Sequence, residues 1–376
     1  MGLKCPLDGS SQAEVALSLS QPPWLGLNQA MVTLTQLTAE LRPSSPPGAE
    51  AARAAARLIA DANVADDDKV NYLLALAQSG ETAEVVAAFA ETYRKMARTI
   101  DLGDLPARAI DVVGTGGDRS GSFNISTASS LIVAAAGVPV MKHGNRSITS
   151  KSGSADFLAV MGVNLEADDA TLLRSLRETN FCYFFAPAFH PAFRAVGAAR
   201  KRLAEGGHKS IFNILGPLIN PGHPAHMMVG VYAERWVEPV AGALESLGVR
   251  RGVVVHGKVG EGMDELTTAG PTRVRGVGEL RAINATWLPG DHGFATCDPK
   301  VLVGGTAEQN FATFGDLLMG GTDEGLTDTV YLSAGTALWV AGVSATVEAG
   351  ATRARQLAAE GTVRETLRNI RDLYRN

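Results

Sequence analysis

A chain of 376 residues with 45% hydrophobic content can build one large domain with a smaller one beside it, or a single oversized α/β unit. Its net charge of −5 and pI near 5.9 give no basic face of the kind that general nucleic-acid binding needs. No apolar run approaches the roughly 18 residues that span a bilayer, and MGLKCPLDGSSQ lacks the basic segment and apolar core of a secretion signal, so a cytoplasmic protein without nucleic-acid or membrane partners is expected.

Residues 1–28 show weak periodicity and end near a Pro-Pro pair, which reads as a flexible N-terminal arm. LTQLTAEL is amphipathic at helical spacing, and the prolines of RPSSPPGAE break it before a second helix, AEAARAAARLIADAN. DDDKVNYLLALAQSG opens with acids suited to a helix N-terminus, and GETAEVVAAFAETYRKMAR ends in cations suited to a C-terminus. The region 29–105 is therefore expected to be all-helical.

Near residue 108 the texture changes. AIDVVG is a short β-branched run, a glycine loop follows, ASSLIVAAAG reads as a helix beginning after NIST, and VPVMK reads as the next strand. That order is the βαβ signature of a parallel sheet. It returns in ALESLGVRRGVVVHG, and ATRARQLAAEGTVRETLRNIRDL reads as a closing helix. The expected fold class is α/β, with a small all-helical domain and a larger α/β domain, 106–376, around a mainly parallel central sheet. Cys5, Cys182 and Cys297 match neither a zinc spacing nor a disulfide framework, which fits a reducing compartment.

Three loops carry candidate chemistry. In DVVGTGGDRSGSFNIST, glycines let backbone N–H groups approach an anion, and the following helix N-terminus adds partial positive charge. The spacing is neither GxxxxGK[ST] nor GxGxxG, so alone it fits a tight strand-to-helix turn equally well. KHGNRSITSKSGSAD packs cations and hydroxyls after a second strand, and two such loops would share the carboxyl edge of a parallel sheet. In VVVHGKVGEGMDELT, Asp264 and Glu265 stand side by side; beside a phosphate site they suit Mg²⁺, and otherwise they decorate a helix N-terminus. A fourth stretch, FAPAFHPAFRAVGAARKRLAEGGHKSIFNILGPLINP, offers arginines whose planar fork matches a carboxylate.

GTGGDxxxSFNIST, KHGNRSxxSKSGSAD, FAPAFHPAxR, IFNILGPLxNP and GMDELT, in this order, resemble the anthranilate phosphoribosyltransferase family from about residue 50 onward. The resemblance implies a nucleoside phosphorylase/phosphoribosyltransferase-like fold, with a helical domain of residues 29–105 completed by helices from about 185–205, and pairing as a homodimer through that domain. It implies transfer of the phosphoribosyl group of 5-phosphoribosyl 1-diphosphate to the amine of anthranilate, with Mg²⁺, in tryptophan biosynthesis.

By matching position, the sugar diphosphate would be held by Gly114, Gly117, Asp118, Ser122, Asn124, Ile125, Ser126 and Thr127 in the first loop. Lys142, His143, Gly144, Asn145, Arg146, Ser147, Ile148, Thr149, Ser150 and Ser154 would complete it from the second. Ser126, Asp264 and Glu265 match metal positions, and Gly114, Asn145 and Arg200 match positions that meet anthranilate. His143 either assists a proton transfer or shapes the acceptor pocket. Two alternatives of similar fold are a pyrimidine nucleoside phosphorylase-like enzyme and a non-catalytic nucleic-acid-binding relative.

The chain departs from the family pattern twice. RKRLAEGGHKSIFN is about three residues longer than R-x-x-L-G-x-R-T-I-F-N, with Lys209 near the expected arginine. LSAGTALWVAG stands where the family tends to have LNAAAAL, a change expected to act on packing rather than chemistry.

Overall fold

Four amphipathic helices open the described fold: α1 (Leu34–Glu40), α2 (Ala49–Ile59), α3 (Asp66–Ser79) and α4 (Ala83–Lys95). The computed structural model describes residues 1–2, 32–147 and 151–375. All but Met1 and Gly2 of the arm, and Ile148, Thr149 and Ser150 of the second loop, lie outside the described residues. The chain from Leu34 onward forms one compact unit.

The helices form for the reasons visible in the sequence. In α2, Ala52, Ala55, Ala56 and Ile59 recur at helical spacing and are buried. Asp66, Asp67 and Asp68 occupy the first turn of α3, and Arg94 and Lys95 the last turn of α4, as the helix dipole favours. Thr82 caps α4 by accepting from the Val85 N–H at 3.4 Å.

The strands are β1 (Ile110–Gly114), β2 (Val140–Gly144), β3 (Phe181–Phe185), β4 (His226–Gly230), β5 (Arg251–Gly257), β6 (Thr272–Gly278) and β7 (Asn284–Trp287). They form one sheet in the order β3-β2-β1-β4-β5-β6-β7. The first five strands in this order pair in parallel, and β6 and then β7 are added by antiparallel pairing, so the expected mainly parallel sheet is present. The remaining helices are α5 (Ile125–Ala135), α6 (Ser154–Met161), α7 (Asp169–Thr179), α8 (Ala186–Phe189), α9 (Gly197–Glu205) and α10 (Val237–Ser246), then α11 (Ala307–Leu317), α12 (Glu324–Val340), α13 (Val347–Ala359) and α14 (Thr362–Arg375).

Successive side chains of a strand face opposite sides, and both sides of this sheet are covered. Val112, Met228, Val253 and Val255 join a core with α5, α6 and α11–α14. Val113, Met227, Val229 and Val254 join the opposite core with α1–α4 and α10, which also takes in Val196 and Leu203.

Three local expectations change. Helix α5 starts at Ile125 rather than after Thr127, because the Asn124 carbonyl accepts the N–H groups of Thr127 and Ala128 at 3.1 and 2.9 Å. Ser126 and Thr127 thereby enter the first turn. The single closing helix is two, α13 and α14, separated at Gly361, whose φ of 83° is a left-handed helix stop. Asp264 and Glu265 lie in a loop and not at a helix N-terminus.

The LSAGTAL departure has a packing reason. Gly335 of α12 lies against α13, where a Cβ would sit 2.3 Å from the Ala351 nitrogen, and a Cβ on Gly350 would sit 2.3 Å from the Gly335 oxygen. Gly335→Ala is therefore expected to destabilise the fold by about 1–3 kcal/mol, through overpacking of two helix backbones. Chemical denaturation checks this, and an unchanged midpoint would mean the helices separate freely.

Candidate active site at the carboxyl edge of the sheet

Strands β1 and β2 are parallel neighbours, so the glycine loop and the basic loop emerge at the same sheet edge, as the spacing of the two motifs predicts. Gly114 and Gly230 pair across β1 and β4 at that edge. Together they form a notch into which the loop after β5 folds. A Cβ on Gly114 would lie 2.4 Å from Asp264 Oδ2, and one on Gly230 only 1.7 Å from the Asp264 carbonyl oxygen. Gly114 is thus needed for the carboxylate's approach, and Gly230 is a partner that no sequence motif singles out. Gly230→Ala should move Asp264 and lower both stability and turnover; retention of full activity would show that the notch is dispensable.

The Gly116 N–H donates to Asp264 Oδ2 at 2.6 Å, and the Ser126 N–H at the start of α5 donates to Glu265 Oε1 at 3.3 Å. The Asp264 N–H in turn donates to Asp118 Oδ2 at 3.2 Å. Ser126, Asp264 and Glu265, predicted as a group, are therefore brought together. Both carboxylates are buried. Burial, then repulsion from Asp118 and Glu265, pushes the Asp264 carboxyl far above the usual range. Burial lifts Glu265 to about 8 against the pull of Lys142 and the Ser126 N–H.

Two crowded, desolvated carboxyls fit a cation. No group of three or more His, Cys, Asp or Glu side chains forms a metal cage among the described residues. The donor set matches a cation that keeps water or phosphate oxygens, as Mg²⁺ does.

Lys142 is buried beneath the site. Its ammonium donates to the Val112 oxygen at 2.6 Å and to Ser126 Oγ at 3.5 Å, and burial lowers its pKa against Asp111 and Glu265. Asn220 holds Asp111 by a 2.8 Å bond to Oδ2. Thr127 Oγ1, in the first turn of α5, is buried with no hydrogen-bond partner among the described residues. Ile125 contributes its side chain to the core, and its N–H is taken by the Phe123 oxygen at 2.7 Å.

Asp118, Ser122 and Met263 border an open cleft of about 310 Å³ with Arg119, Lys300 and Val303. In the second loop, Asp156 accepts from the Ser147 and Gly153 N–H groups, both at 3.0 Å, and pairs with Arg146 at 2.8 Å. Asn145 is exposed, and its side chain accepts from the Arg146 N–H. Gly144 has no room for a Cβ because Ser154 Oγ would lie 2.3 Å away; that hydroxyl bonds Tyr183 at 3.0 Å.

A second environment adjoins the loops. His143 is buried, its Nδ1 lies 3.1 Å from the Gly216 carbonyl, and its ring meets His190 edge-on at 5.0 Å. A carbonyl can only accept, so Nδ1 carries the proton and Nε2 presents a lone pair. Burial and the neighbouring His190 depress His143 to about 3, which leaves it neutral. The kcat/KM profile is accordingly expected to show no ionisation of His143 between about pH 5.5 and 8.5, and an inflection near 6.5 lost in His143→Gln would contradict this.

Arg200 of α9 stands 5.8 Å from the ring centres of both Phe193 and Phe212, and it has no ion pair among the described residues. Burial lowers its pKa, which Tyr93 opposes. Arg202, by contrast, is a helix-surface cation paired with Asp67 at 2.5 Å.

The altered loop after α9 brings Lys209 onto the glycine loop. Its ammonium donates to the Gly117 oxygen at 2.9 Å and lies 3.5 Å from the Tyr232 ring centre. The sequence marks Lys209 only as a departure; no local pattern announces this contact across 92 residues.

Residues 106–364 match the model of the glycosyl transferase family, a/b domain. The anthranilate phosphoribosyltransferase of Rhodospirillum rubrum is 45% identical over 299 residues, covering 79% of this chain and 83% of that protein. The crystal structure of anthranilate phosphoribosyltransferase from Thermus thermophilus superimposes with a TM-score of 0.82 at 36% identity, covering 91% of this chain and 99% of that one. The Saccharomyces cerevisiae enzyme in complex with PRPP and Mg shares the fold, with a TM-score of 0.77 at 23% identity over 87% of this chain and 93% of that one. With sequence and architecture agreeing over most of its length, the chain belongs to the anthranilate phosphoribosyltransferase family.

Proposed function

We infer that this protein transfers the phosphoribosyl group of 5-phosphoribosyl 1-diphosphate to the amine of anthranilate, forming N-(5-phosphoribosyl)anthranilate and diphosphate in tryptophan biosynthesis. The observation that carries this reading is the pair of buried carboxylates docked on the N–H groups of Gly116 and Ser126, at the edge where both phosphate loops emerge. The cofactor is Mg²⁺, and Ser126, Asp264 and Glu265 are the residues that would hold it. When bound, it neutralises charge on the diphosphate and its departing oxygen.

The remaining work falls to the chain itself. Backbone and hydroxyl groups from Gly114 to Thr127 would surround the sugar diphosphate, with the loop from Lys142 to Ser154 closing the other side. Lys142 lies beneath the site, its Nζ donating to the Val112 oxygen and to Ser126 Oγ. The arylamine is neutral and needs no strong base before it attacks, so positioning and leaving-group stabilisation dominate. Arg200, flanked by Phe193 and Phe212 and without an acidic partner among the described residues, suits the anthranilate carboxylate. Neutral His143, with its Nε2 lone pair, would accept a hydrogen bond rather than donate a proton. Gly114 and Asn145 would border the same acceptor space.

The test is product stoichiometry. One diphosphate is expected per anthranilate consumed, dependent on Mg²⁺. Release of thymine from thymidine and phosphate at an enzymatic rate would overturn the assignment in favour of a nucleoside phosphorylase.

The helices of residues 29–105, joined by the segment 185–205, are proposed as a helical domain through which two copies pair, with 106–376 as the α/β domain. Helix α3 packs against α9, and their side chains share one core, which supports that grouping. Sedimentation would reveal a dimer. Among the described residues no helix is long and apolar enough to cross a membrane, and we place the enzyme in the cytoplasm.

A further inference from the structure

The segment Leu302–Asn310 lies outside every motif of the two phosphate loops, yet it grips the first of them. The Phe123 N–H donates to the Leu302 oxygen at 2.8 Å, the Gly304 N–H donates to the Gly121 oxygen at 2.8 Å, and Ser122 bridges to Val303. A Cβ on Gly304 would lie 2.9 Å from the Phe123 nitrogen, so the two backbones meet without side chain between them. Thr306 and Gln309 then start α11 with a reciprocal cap, at 3.3 and 2.9 Å.

Asn310, 3% exposed, stands in the first turns of that helix. Its Oδ1 accepts from the Gly305 N–H at 2.7 Å, and its Nδ2 donates to Asn124 Oδ1 at 2.8 Å. Because the Gly305 N–H can only donate, the Asn310 amide is oriented without ambiguity. The Asn310 NH₂ then requires Asn124 to present its oxygen. Ser152 of the second loop donates its hydroxyl to the same oxygen at 2.9 Å. Both lone pairs of Asn124 Oδ1 are therefore used internally. The Asn124 NH₂ makes a 3.4 Å contact with the Ser152 carbonyl, which engages one of its two hydrogens.

We propose that Asn310 is a positioning residue for phosphoribosyl diphosphate: by holding the oxygen of Asn124 together with Ser152, it staples the two phosphate loops and leaves an Asn124 N–H turned to the ligand. This rests on the placement of Asn124 in the sugar diphosphate site. The amide of Asn310 touches no reacting atom; it sets which end of another amide does.

Asn310→Asp keeps the acceptor for the Gly305 N–H and replaces the donor to Asn124 by a second acceptor. Asn310→Ser shortens the side chain, adds no charge, and serves if the Asp variant does not fold. Gln309→Ala is the control, because it loosens the start of α11 without touching Asn124. Calorimetric binding of phosphoribosyl diphosphate with Mg²⁺ is measured for each, with steady-state kinetics beside it. The expectation is a Kd and KM for phosphoribosyl diphosphate raised about tenfold in the Asn310 variants, with kcat at saturation and the anthranilate KM within about twofold. Gln309→Ala should stay near wild type. Wild-type binding with an unchanged Kd in the folded Asn310 variants would overturn the proposal, as would an equal loss in Gln309→Ala, whereas absence of wild-type binding would overturn the site reading itself.

Discussion

Replacing Asp264 by Asn together with Glu265 by Gln is expected to lower Mg²⁺-dependent kcat/KM by about 10²–10³-fold while the protein stays folded. The reason lies in where the two carboxyls sit. Each is buried, each accepts a backbone N–H, from Gly116 and from Ser126, and neither pairs with a cation at ion-pair distance among the described residues. Asn and Gln keep the shape and an acceptor oxygen, so the hydrogen bonds survive and the negative charge does not.

The pH dependence follows from the direction of the shifts. A carboxyl whose folded pKa exceeds its unfolded value costs the fold stability when ionised. The cost is absent below the unfolded value of 4.5 and grows as pH rises to about 8 for Glu265. In chelator, the double variant should therefore melt a few degrees higher than wild type at pH 8 and show little difference at pH 4.5. Thermal melts at the two pH values with initial rates in Mg²⁺ check both halves. A variant of full activity would remove the metal assignment; one that unfolds at pH 8 would make the pair structural.

The second large effect is at the acceptor end. Arg200→Ala is expected to raise the anthranilate KM by about 30–100-fold and to leave the KM for phosphoribosyl diphosphate within about threefold. Its guanidinium lies among Phe193 and Phe212 with no carboxylate at ion-pair distance among the described residues, and burial already disfavours its charge. An anionic ring substrate relieves that cost. Arg200→Lys should recover little, since an ammonium lacks the planar fork that bonds both carboxylate oxygens. Equal loss for both substrates would point instead to collapse of the aromatic cluster that includes Tyr93.

Much of the fold is legible because local rules and tertiary structure agree. The acids opening α3, the β-branched runs and the glycine loops each announce their element by residue type and spacing. The start of α5 is harder to read because Asn124 caps it through a backbone carbonyl, which the sequence does not mark. The break at Gly361 is hidden inside a strong amphipathic run. At the site, Gly114, Ser126, Asp264 and Glu265 group through the family resemblance that their motifs carry. Gly230, Lys209 and Asn310 do not, because each acts on a partner far along the chain: the Asp264 backbone, the Gly117 carbonyl and the Asn124 amide. Close approach and amide orientation are properties of the folded surface, and no periodicity encodes them.

The most direct test of the central claim follows anthranilate fluorescence in the presence of 5-phosphoribosyl 1-diphosphate and Mg²⁺. The account predicts a decay that needs all three components, yields one diphosphate per anthranilate, and stops in chelator. Steady fluorescence while diphosphate forms with a different amine would contradict it.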